Sequence, residues 1–471
     1  TDTLACSDLI LGMPLRQVVR DGIFVLPPRG GVAAGRPVLI ISPMKTDFLA
    51  DLQQRDLVHQ LSAPEVTALL SEQRVTGYIG FDPTADSLHV GSLLPLITLM
   101  RFQRAGHRPI GLIGGGTGLI GDPSGRTSER TLLDRERLAQ NLAGIRRQVE
   151  RFLDLSGDAL LVDNAEWLES LNLIDFLRDI GKHFSVNQMI ARDSVRMRLE
   201  TREQGLSFTE FTYMLLQAYD FLALFDRYGC RLQMGGSDQW GNILSGCDLI
   251  RRLRGAEAYG VTMPLVTRAD GRKFGKSEEG NVWLDGRRTS PYQFYQFWIN
   301  VDDADVVRYL KYFTFLPLPE IAEIEREVAA APEKRTAQRV LAEEVTRLVH
   351  GPEALARAVR ATSVLFRKDA DYRELTAQEL EEAFHGAPTA TLDRAVLGTP
   401  EAGLVALLAQ VGLYSSRSMA RKDLPSGAVT VNNRPVRELD RVLTESDLLP
   451  GGFIILRKGK KHHHVLRVRQ S

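Results

Sequence analysis

The sequence predicts an α/β protein in three parts: a parallel-sheet domain, a small all-helical domain and a C-terminal α+β unit. Residues 74–121 predict a strand, a turn, a helix and a second buried strand, which is one βαβ unit of a parallel sheet. From Pro317 to about Thr362 the chain is rich in Ala, Glu, Arg and Leu between proline breaks, which is typical of helices. Residues 403–471 begin with a helical pattern and continue as short strands separated by turn residues.

The boundaries between these parts follow changes in the pattern. Gly, Pro and Arg interrupt every apolar run before Met44, where helical spacing begins. We therefore expect residues 1–43 to be an appendage outside the natural fold. The predicted segments after it are the parallel-sheet domain 44–265, a loop segment 266–291, the helical domain 292–363, a linker 364–402 and the C-terminal unit 403–471.

Composition and charge exclude some classes of protein. The 471 residues are 44% hydrophobic and 25% charged, as in an ordinary globular chain, and no apolar run approaches the ~18 residues that span a membrane. The 59 basic and 59 acidic residues cancel, which taken alone argues against a nucleic-acid partner. However, Ser415–Ser471 contains 12 basic against 5 acidic residues, a net +7, and the rest is −7. The basic C-terminal unit therefore favours a phosphate-rich partner.

The three cysteines predict no metal site and no disulfide. Cys6, Cys230 and Cys247 lie far apart and form no C-x-x-C or zinc-like cluster. We expect reduced thiols, as in the cytoplasm.

A glycine run after the second predicted strand matches the dinucleotide fingerprint G-x-G-x-x-G at 116–121. In that fingerprint the last glycine lies inside a helix, whereas Gly121 is followed at once by Asp-Pro-Ser-Gly, which is turn chemistry. We interpret the run as a glycine-rich loop that lets the backbone approach a nucleotide, and not as an NAD site.

Two segments have the chemistry of phosphate binding. Thr84–Ser92 passes from a strand end to a helix start and contains His89 and Gly91, and helix N-termini bind anions. Gly271–Ser277 is a polar loop with two lysines, which can close over phosphates. Either segment alone is more often an ordinary turn, and only their combination with the βαβ unit indicates a shared site.

A third pattern places three polar side chains on one face of a predicted helix. Tyr213, Gln217 and Asp220 are spaced i, i+4 and i+7 in FTEFTYMLLQAYDF. Such a stripe is more often a surface or a structural hydrogen-bond cluster.

Four longer motifs, in this order, resemble those of bacterial tyrosyl-tRNA synthetases, which are class I aminoacyl-tRNA synthetases. They are YIGFDPTxxSLHxG (78–91), GDPSG (121–125), GGSDQWGN (235–242) and KFGKS (273–277). The resemblance extends from about Met44 to the C-terminus. It implies a Rossmann-like catalytic domain over 44–265, a signature-loop linker, a helical tRNA anticodon-binding domain and an S4-like RNA-binding domain over 403–471.

The resemblance also implies the reaction and its partners. Tyrosine and ATP would give tyrosyl-adenylate and pyrophosphate, and tyrosine would then pass to the 3′ end of tRNA(Tyr). Mg²⁺ would accompany ATP, with no structural metal held by the protein. The expected form is a cytoplasmic homodimer without membrane attachment.

The implied roles fall into four groups of residues. Tyr78 and Asp220 would bind the phenol oxygen of tyrosine, and its ammonium and carboxylate groups would meet Asp82, Asp122, Tyr213, Gln217 and Gln239. The departing phosphates would meet Thr84, His89, Lys273, Lys276, Ser277, Arg126 and Arg130. Further contacts to ATP would come from Gly80, His89, Gly91, Ser92, Gly236, Asp238 and Lys276. RNA would be bound by Arg417, Arg421, Lys422, Arg457, Lys458, Lys460 and Lys461.

The chain departs from the family pattern at Ser92, where His or Asn usually ends the first signature. Three alternatives stay open: a synthetase-like RNA-binding protein without catalysis, a tryptophan-specific relative and an NAD enzyme. Intact signature residues argue against the first, and the Tyr78 and Asp220 pair argues against the second.

Overall fold

The computed structural model describes residues 47–124, 133–192, 195–196, 199, 205–271, 274–277, 280–367, 370–459 and 462–469. The predicted appendage 1–43 lies outside these ranges, and so do the predicted site residues Arg126, Arg130, Lys273, Lys460 and Lys461. Only the backbone of Lys276 and Ser277 is described. The chain forms two compact units. The first comprises the chain to Thr84 and Pro95–Leu265, and the second comprises Ala85–Leu94 and Val266 onward.

The first unit is built on a six-stranded sheet in the order β1-β6-β5-β2-β3-β4. Its strands are β1 (Gln60–Leu61), β2 (Thr76–Phe81), β3 (Arg108–Ile113), β4 (Leu160–Asp163), β5 (Cys230–Gly236) and β6 (Tyr259–Met263). All neighbours pair in parallel except β1, which is antiparallel to β6. The predicted parallel sheet is therefore confirmed. Strand order reverses between β2 and β5, and ligands bind at such switch points.

The helices of this unit include one long helix that contains the predicted polar stripe. They are α1 (Phe48–Gln54), α2 (Glu65–Glu72), α3 (Leu93–Arg104), α4 (Arg135–Phe152), α5 (Ala165–Leu168), α6 (Leu173–Asp175), α7 (Val186–Ile190), α8 (Phe208–Tyr228) and α9 (Trp240–Arg254). Ser207 caps α8 by accepting a hydrogen bond from the Glu210 N–H, and Gly229 ends it with φ +64°. Both signals are local, which is why the sequence located this helix well.

A buried apolar cluster joins the sheet to α8 and α9. It includes Tyr78 and Ile110 from the strands, Phe221 and Leu224 from α8, and Leu249 from α9. The polar stripe of α8 therefore borders an apolar core, where an unpaired polar group is costly.

The second unit contains a two-stranded hairpin and a group of helices. Their bounds are β7 (Lys276–Ser277), β8 (Gly280–Asn281), α10 (Pro291–Ile299), α11 (Asp303–Phe313), α12 (Leu318–Ala330), α13 (Thr336–His350), α14 (Pro352–Leu365) and α15 (Ala377–Ala383). Ser290 and Gln293 form a capping box at the start of α10, and Pro291 is the first residue of the helix.

The C-terminal part of this unit is a five-stranded sheet in the order β11-β10-β12-β13-β9, with two further helices. These elements are β9 (Thr389–Asp393), α16 (Leu404–Gln410), α17 (Arg417–Asp423), β10 (Val429–Val431), β11 (Arg434–Val436), β12 (Phe453–Lys458) and β13 (His462–Arg469). One cluster of buried residues packs Ile454 and Leu466 against α16 and α17, and another packs Ile455 and Val465 with residues of α14 and α15. Both faces of the sheet are therefore covered.

The structure differs from the predicted linker over 364–402. This segment contains α15 and also β9, which pairs in parallel with β13 at the edge of the sheet. Tyr372, Leu375 and Leu380 are buried against one face of the sheet. The sequence signal failed because β9 is short and half-exposed, so its residues lack the apolar alternation of an ordinary strand.

We expect a fragment that starts at residue 403 to fold poorly, and a fragment that starts at Asp371 to melt cooperatively. The shorter fragment lacks β9 and the residues that cover one face of the sheet, so it exposes an unpaired strand edge and apolar surface. Thermal unfolding followed by circular dichroism would compare the two. Equal melting of both fragments would contradict this role for residues 371–402.

Candidate active site

The predicted ligand-binding residues of the first unit lie where strand order reverses. Asp82 follows directly after β2, and Asp238 and Gln239 follow directly after β5. Gly80 is exposed near the end of β2, and an added Cβ there would meet nothing within 4 Å. The topology therefore brings two separate motifs to one edge of the sheet, with open space above Gly80.

Asp220 is the deepest charged group of this region, with 2% of its surface exposed. Trp167 Nε1 donates to one carboxylate oxygen at 2.7 Å, and Asn164 Nδ2 donates to the other at 2.9 Å. Burial raises the pKa of Asp220 to about 7, although both hydrogen bonds oppose this shift. The carboxylate is held in a fixed orientation by two donors and retains lone pairs for a further donor.

Tyr78 supplies the matching hydroxyl group. Its side chain is 1% exposed on β2 and lies 5.4 Å, centroid to centroid, from the Phe221 ring. Its Oη has no hydrogen-bond partner among the described residues. Burial, and next the charge of Asp220, raise the pKa of the Tyr78 phenol well above its ordinary value, so the group stays a donor. A buried donor without a partner costs about 1–3 kcal/mol, which indicates a place kept for a ligand.

A network of amides and one carboxylate forms a second polar region. Gln239 Nε2 donates to Asp122 at 2.7 Å, and Gln217 Nε2 donates to Gln239 at 3.1 Å. Asn242 Nδ2 lies 3.1 Å from Gln217 Oε1 and completes the network. Three of these residues were predicted from three different motifs, and the structure places them in mutual contact.

Tyr213 and Asp82 form a separate contact, in which the Tyr213 hydroxyl lies 3.3 Å from Asp82 Oδ1. The Thr84 N–H donates to the Asp82 carbonyl at 2.9 Å, which closes the turn after β2. An added Cβ at Gly236 would lie 2.7 Å from Asp238 Oδ1, so a side chain there would displace the Asp238 carboxylate.

The glycine run at 114–121 packs within the protein. An added Cβ at Gly115 would lie 2.1 Å from Asp163 Oδ1, and one at Gly118 would lie 2.7 Å from Pro83. The run forms the 3-10 turn Thr117–Leu119 and opens no long helix. The turn chemistry after Gly121 predicted a loop here, but Gly115 and Gly118 face Asp163 and Pro83, so close packing within the protein explains these two glycines rather than the expected approach of a nucleotide.

In the second unit, His89 is held against its own backbone. Its Nδ1 accepts the Gly91 N–H at 3.0 Å, which leaves the proton on Nε2. Burial lowers the pKa of His89 below its ordinary value, so the imidazole is neutral at pH 7. An added Cβ at Gly91 would lie 2.7 Å from the ring, which explains the glycine, and the Ser92 N–H donates to the His89 carbonyl. His89 therefore presents an Nε2–H donor.

The two signature segments of the second unit lie side by side. The Val90 N–H donates to the Val282 carbonyl at 2.9 Å, and the Val282 N–H donates to the Gly275 carbonyl at 3.1 Å. Gly275 has φ +92°, and an added Cβ would lie 3.0 Å from Val90. The backbone of the second signature is thereby placed beside the first.

Phe274 anchors this loop in a group of aromatic rings. Its ring lies 4.8 Å from Tyr309, 5.4 Å from Phe313 and 5.5 Å from Trp298, measured between centroids. The loop therefore has a buried apolar attachment next to its lysines.

The described RNA-binding candidates lie on α17 and on both faces of the neighbouring sheet. Arg417, Arg421 and Lys422 are exposed on α17. Arg457 and Lys458 are neighbours on β12 and so point to opposite faces of the sheet. Lys458 stacks over the Tyr414 ring at 3.9 Å and donates to the Leu413 carbonyl.

Sequence reasoning missed four polar residues of the pocket. Asn164 and Trp167 orient Asp220, Asn242 joins the amide network, and Gln233 lies in register with Tyr78 on the neighbouring strand. Gln233 is buried, and its Oε1 has no partner in the described part of the chain. The sequence pattern could have indicated two of them, since Asn164 directly follows strand β4 and Gln233 is a polar residue within the apolar strand β5.

We expect the free energy of unfolding of the wild type, minus that of Asp220→Asn, to decrease as pH rises from about 4 to 7. The pKa of Asp220 is about 7 in the folded protein and near 4 in the unfolded chain. Between these pH values only the folded protein keeps the proton on Asp220, so the wild type loses stability as rising pH removes that proton. Urea unfolding at several pH values measures this difference. Asp226→Asn, at the exposed end of the same helix, is the matched control. A difference that stays constant or rises with pH would contradict the burial of this charge.

Comparisons with known proteins show the family to which this chain belongs. The sequence profile described as "tRNA synthetases class I (W and Y)" matches residues 70–367, and the profile "Tyrosine--tRNA ligase SYY-like C-terminal domain" matches residues 379–466. The tyrosine--tRNA ligase of Roseiflexus castenholzii is 54% identical over 426 residues, covering 90% of this chain and 100% of that protein. The tyrosine--tRNA ligase of Geobacillus kaustophilus is 53% identical, covering 89% of this chain and 99% of that protein.

A solved structure has the same fold. The C-terminally truncated Aspergillus nidulans mitochondrial tyrosyl-tRNA synthetase superposes with a TM-score of 0.61 and is 34% identical, covering 68% of this chain and 94% of that one. Relatives of this identity and coverage distinguish tyrosine from tryptophan as the amino acid. The chain therefore belongs to the class I tRNA synthetases and, within them, to the tyrosine--tRNA ligases.

Proposed function

We propose that the first unit selects tyrosine through Tyr78 and Asp220. The observation that carries this proposal is the buried Tyr78 hydroxyl without a partner, within electrostatic range of the Asp220 carboxylate. Tyr78 would donate to the phenol oxygen of the substrate, and Asp220 would accept the phenol proton. Phenylalanine would leave both groups buried and unpaired, at a cost of about 1–3 kcal/mol for each.

The other end of tyrosine would meet the two polar groups near the strand ends. Asp122 in the amide network and Asp82 beside Tyr213 would bind its ammonium group. Gln217 and Gln239 would supply further hydrogen bonds. This arrangement would hold the substrate by both ends, which orients its carboxylate for attack.

ATP binding would use glycines, one ribose contact and the two signature segments. Gly80, Gly91 and Gly236 would allow close approach of backbone, and Asp238 would bind the ribose. The phosphates would be bound by Thr84, His89, Ser92, Lys276 and Ser277, together with Lys273, Arg126 and Arg130 outside the described residues. The Nε2–H of neutral His89 would donate to a phosphate oxygen. Positioning and charge stabilisation dominate such phosphoryl reactions.

The reaction has two balanced steps. A tyrosine carboxylate oxygen forms a bond to the α-phosphorus of ATP while the bond to the bridging oxygen breaks and pyrophosphate leaves. A terminal ribose hydroxyl of the tRNA then attacks the tyrosyl carbonyl, loses its proton, and AMP leaves. We propose that Mg²⁺ arrives bound to ATP, because this ion commonly binds through substrate phosphates and keeps several waters.

We expect tyrosine-dependent exchange of pyrophosphate into ATP, and Tyr78→Phe to reduce the preference for tyrosine over phenylalanine about 5- to 10-fold in kcat/KM. Loss of one hydrogen bond in the pocket accounts for this magnitude. Tyr219→Phe, which removes a hydroxyl from the same region outside the pocket, is the matched control. No exchange with tyrosine would refute the proposed function, and an unchanged preference in Tyr78→Phe would refute the role of this hydroxyl.

Binding of tRNA would use the C-terminal part of the second unit. Its net charge of +7 over Ser415–Ser471 and the exposed Arg417, Arg421 and Lys422 support an S4-like RNA-binding role. The helices from α10 to α14 would bind the anticodon region.

The unpaired Cys230 and Cys247 thiols are consistent with a cytoplasmic location. No helix in the described ranges is long and apolar enough to cross a membrane.

We further propose that two copies of the chain associate through an apolar surface on the first unit. The surface consists of exposed side chains between α6 and the start of α8, namely Leu173, Ile174, Leu177, Val186, Ile190 and Phe208. Phe208 is 78% exposed, and a small buried cluster around Met189 and Met214 supports this region from inside. Large exposed apolar patches mark interfaces. A second copy is the proposed occupant because these six exposed side chains are aliphatic or aromatic, and contact between two copies would cover them.

We expect Phe208→Asp to convert a dimer into a monomer, because a charge at the centre of an apolar interface loses its hydration. Analytical ultracentrifugation would measure the mass of each variant. Leu155→Asp, at another exposed position of the same unit, is the control and should keep the mass of the wild type. A monomeric wild type would refute the proposed dimer.

A further inference from the structure

Three side chains of the second unit form a contact cluster beside the first signature. The Arg288 guanidinium lies 3.6 Å from the centre of the Trp283 ring, which is stacking contact. The same guanidinium is paired with Asp86 at 2.7 Å. Asp86 and Arg288 are 202 residues apart in the sequence, so this contact ties two distant segments together. We refer to Asp86, Trp283 and Arg288 as the Trp283 cluster.

This cluster is connected to His89 through the backbone. His89 and Trp283 form an antiparallel bridge, and the Leu284 N–H donates to the Leu88 carbonyl at 2.9 Å. The Asp285 N–H donates to Ser87 Oγ at 3.2 Å. The segment that contains His89 is therefore bound along its length to residues 282–285.

The cluster also touches the His89 ring. The imidazole and the Trp283 indole meet edge to face at 6.2 Å between centroids. The Nδ1 side of His89 is occupied by the Gly91 N–H, so the indole contact limits the remaining freedom of the ring about its side-chain torsions. Nε2–H then has one preferred direction.

The exposure of these side chains indicates that the cluster positions its neighbours and adds little to the free energy of unfolding. The side chains of Arg288 and Asp86 are 35% and 45% exposed, and exposed ion pairs contribute little to folding. The arrangement of Arg288 on the Trp283 ring is nevertheless close and specific. Its defined effect is to fix the indole against which His89 rests.

We propose that Arg288 is a positioning residue for tyrosine activation, which acts through Trp283 and Asp86 to orient His89 toward the phosphates of ATP. This inference rests on the proposed phosphate-binding role of His89. Arg288 touches no reacting atom in this scheme. Its loss would widen the range of orientations of a hydrogen-bond donor that must match the transition state, and small misplacements of such groups reduce rates strongly.

The test is pyrophosphate exchange with tyrosine by the full-length protein and its variants. We expect Arg288→Ala to lower kcat about 10-fold and to leave the KM for tyrosine within about twofold, since the tyrosine pocket belongs to the other unit. Arg288→Lys should recover most of the loss, because lysine retains the charge and the contact with the ring. Arg287→Ala is the matched control, since Arg287 is the adjacent exposed arginine, pairs with Asp285 and should leave kcat unchanged.

Combining Arg288→Ala with His89→Asn in one protein distinguishes this inference from the proposed function. Exchange by the wild type and a large loss of kcat in His89→Asn test the function and the role of His89. If Arg288 acts through His89, then Arg288→Ala should have no further effect on kcat in the His89→Asn background. A full additional loss in that background would overturn the proposal, because Arg288 would then act independently. An unchanged kcat in Arg288→Ala, or a fall that follows a lower melting temperature, would overturn it as well.

Discussion

The buried carboxylate of Asp220 is the constraint on which the proposed tyrosine pocket depends. Removing a charge from water is costly unless hydrogen bonds compensate, and burial here raises the pKa of Asp220 to about 7 even with two donors in place. These donors come from the end of β4 and from α5, so α8 is held to that edge of the sheet. In the proposed function, selectivity for tyrosine would therefore depend on a polar group that the fold keeps in apolar surroundings.

The order of strands explains why distant motifs can serve one ligand. The reversal between β2 and β5 leaves the carboxyl ends of both strands free, and Asp82 and Gln239 emerge there from segments more than 150 residues apart. Asp122 and Gln217 reach Gln239 from two further segments. A substrate with a charged end and a phenol end can be held at both.

Local patterns predicted the parts of this protein whose structure depends on short-range signals. The βαβ unit and α8 follow from hydrophobic spacing, a serine cap and a terminal glycine, and the Tyr213, Gln217 and Asp220 stripe followed from helical periodicity. The sequence-based predictions failed where contacts between distant elements determine the structure. β9 completes a sheet edge without a strong pattern of its own, and Arg457 and Lys458 are adjacent in sequence but lie on opposite faces of the sheet.

By itself the sequence determined the parallel-sheet class, the order of the motifs, the polar face of α8 and the basic character of the C-terminal unit, because each depends on spacing or residue type along the chain. Only the tertiary structure decided which groups meet: Asn164 and Trp167 on Asp220, Gln233 beside Tyr78, and Arg288 on Trp283. It also decided that the segment of the first signature pairs with residues 282–284, since the Val90 N–H donates to the Val282 carbonyl and the Leu284 N–H donates to the Leu88 carbonyl. These contacts join residues far apart in the chain, and their geometry follows from the packing of whole elements, which no local pattern encodes.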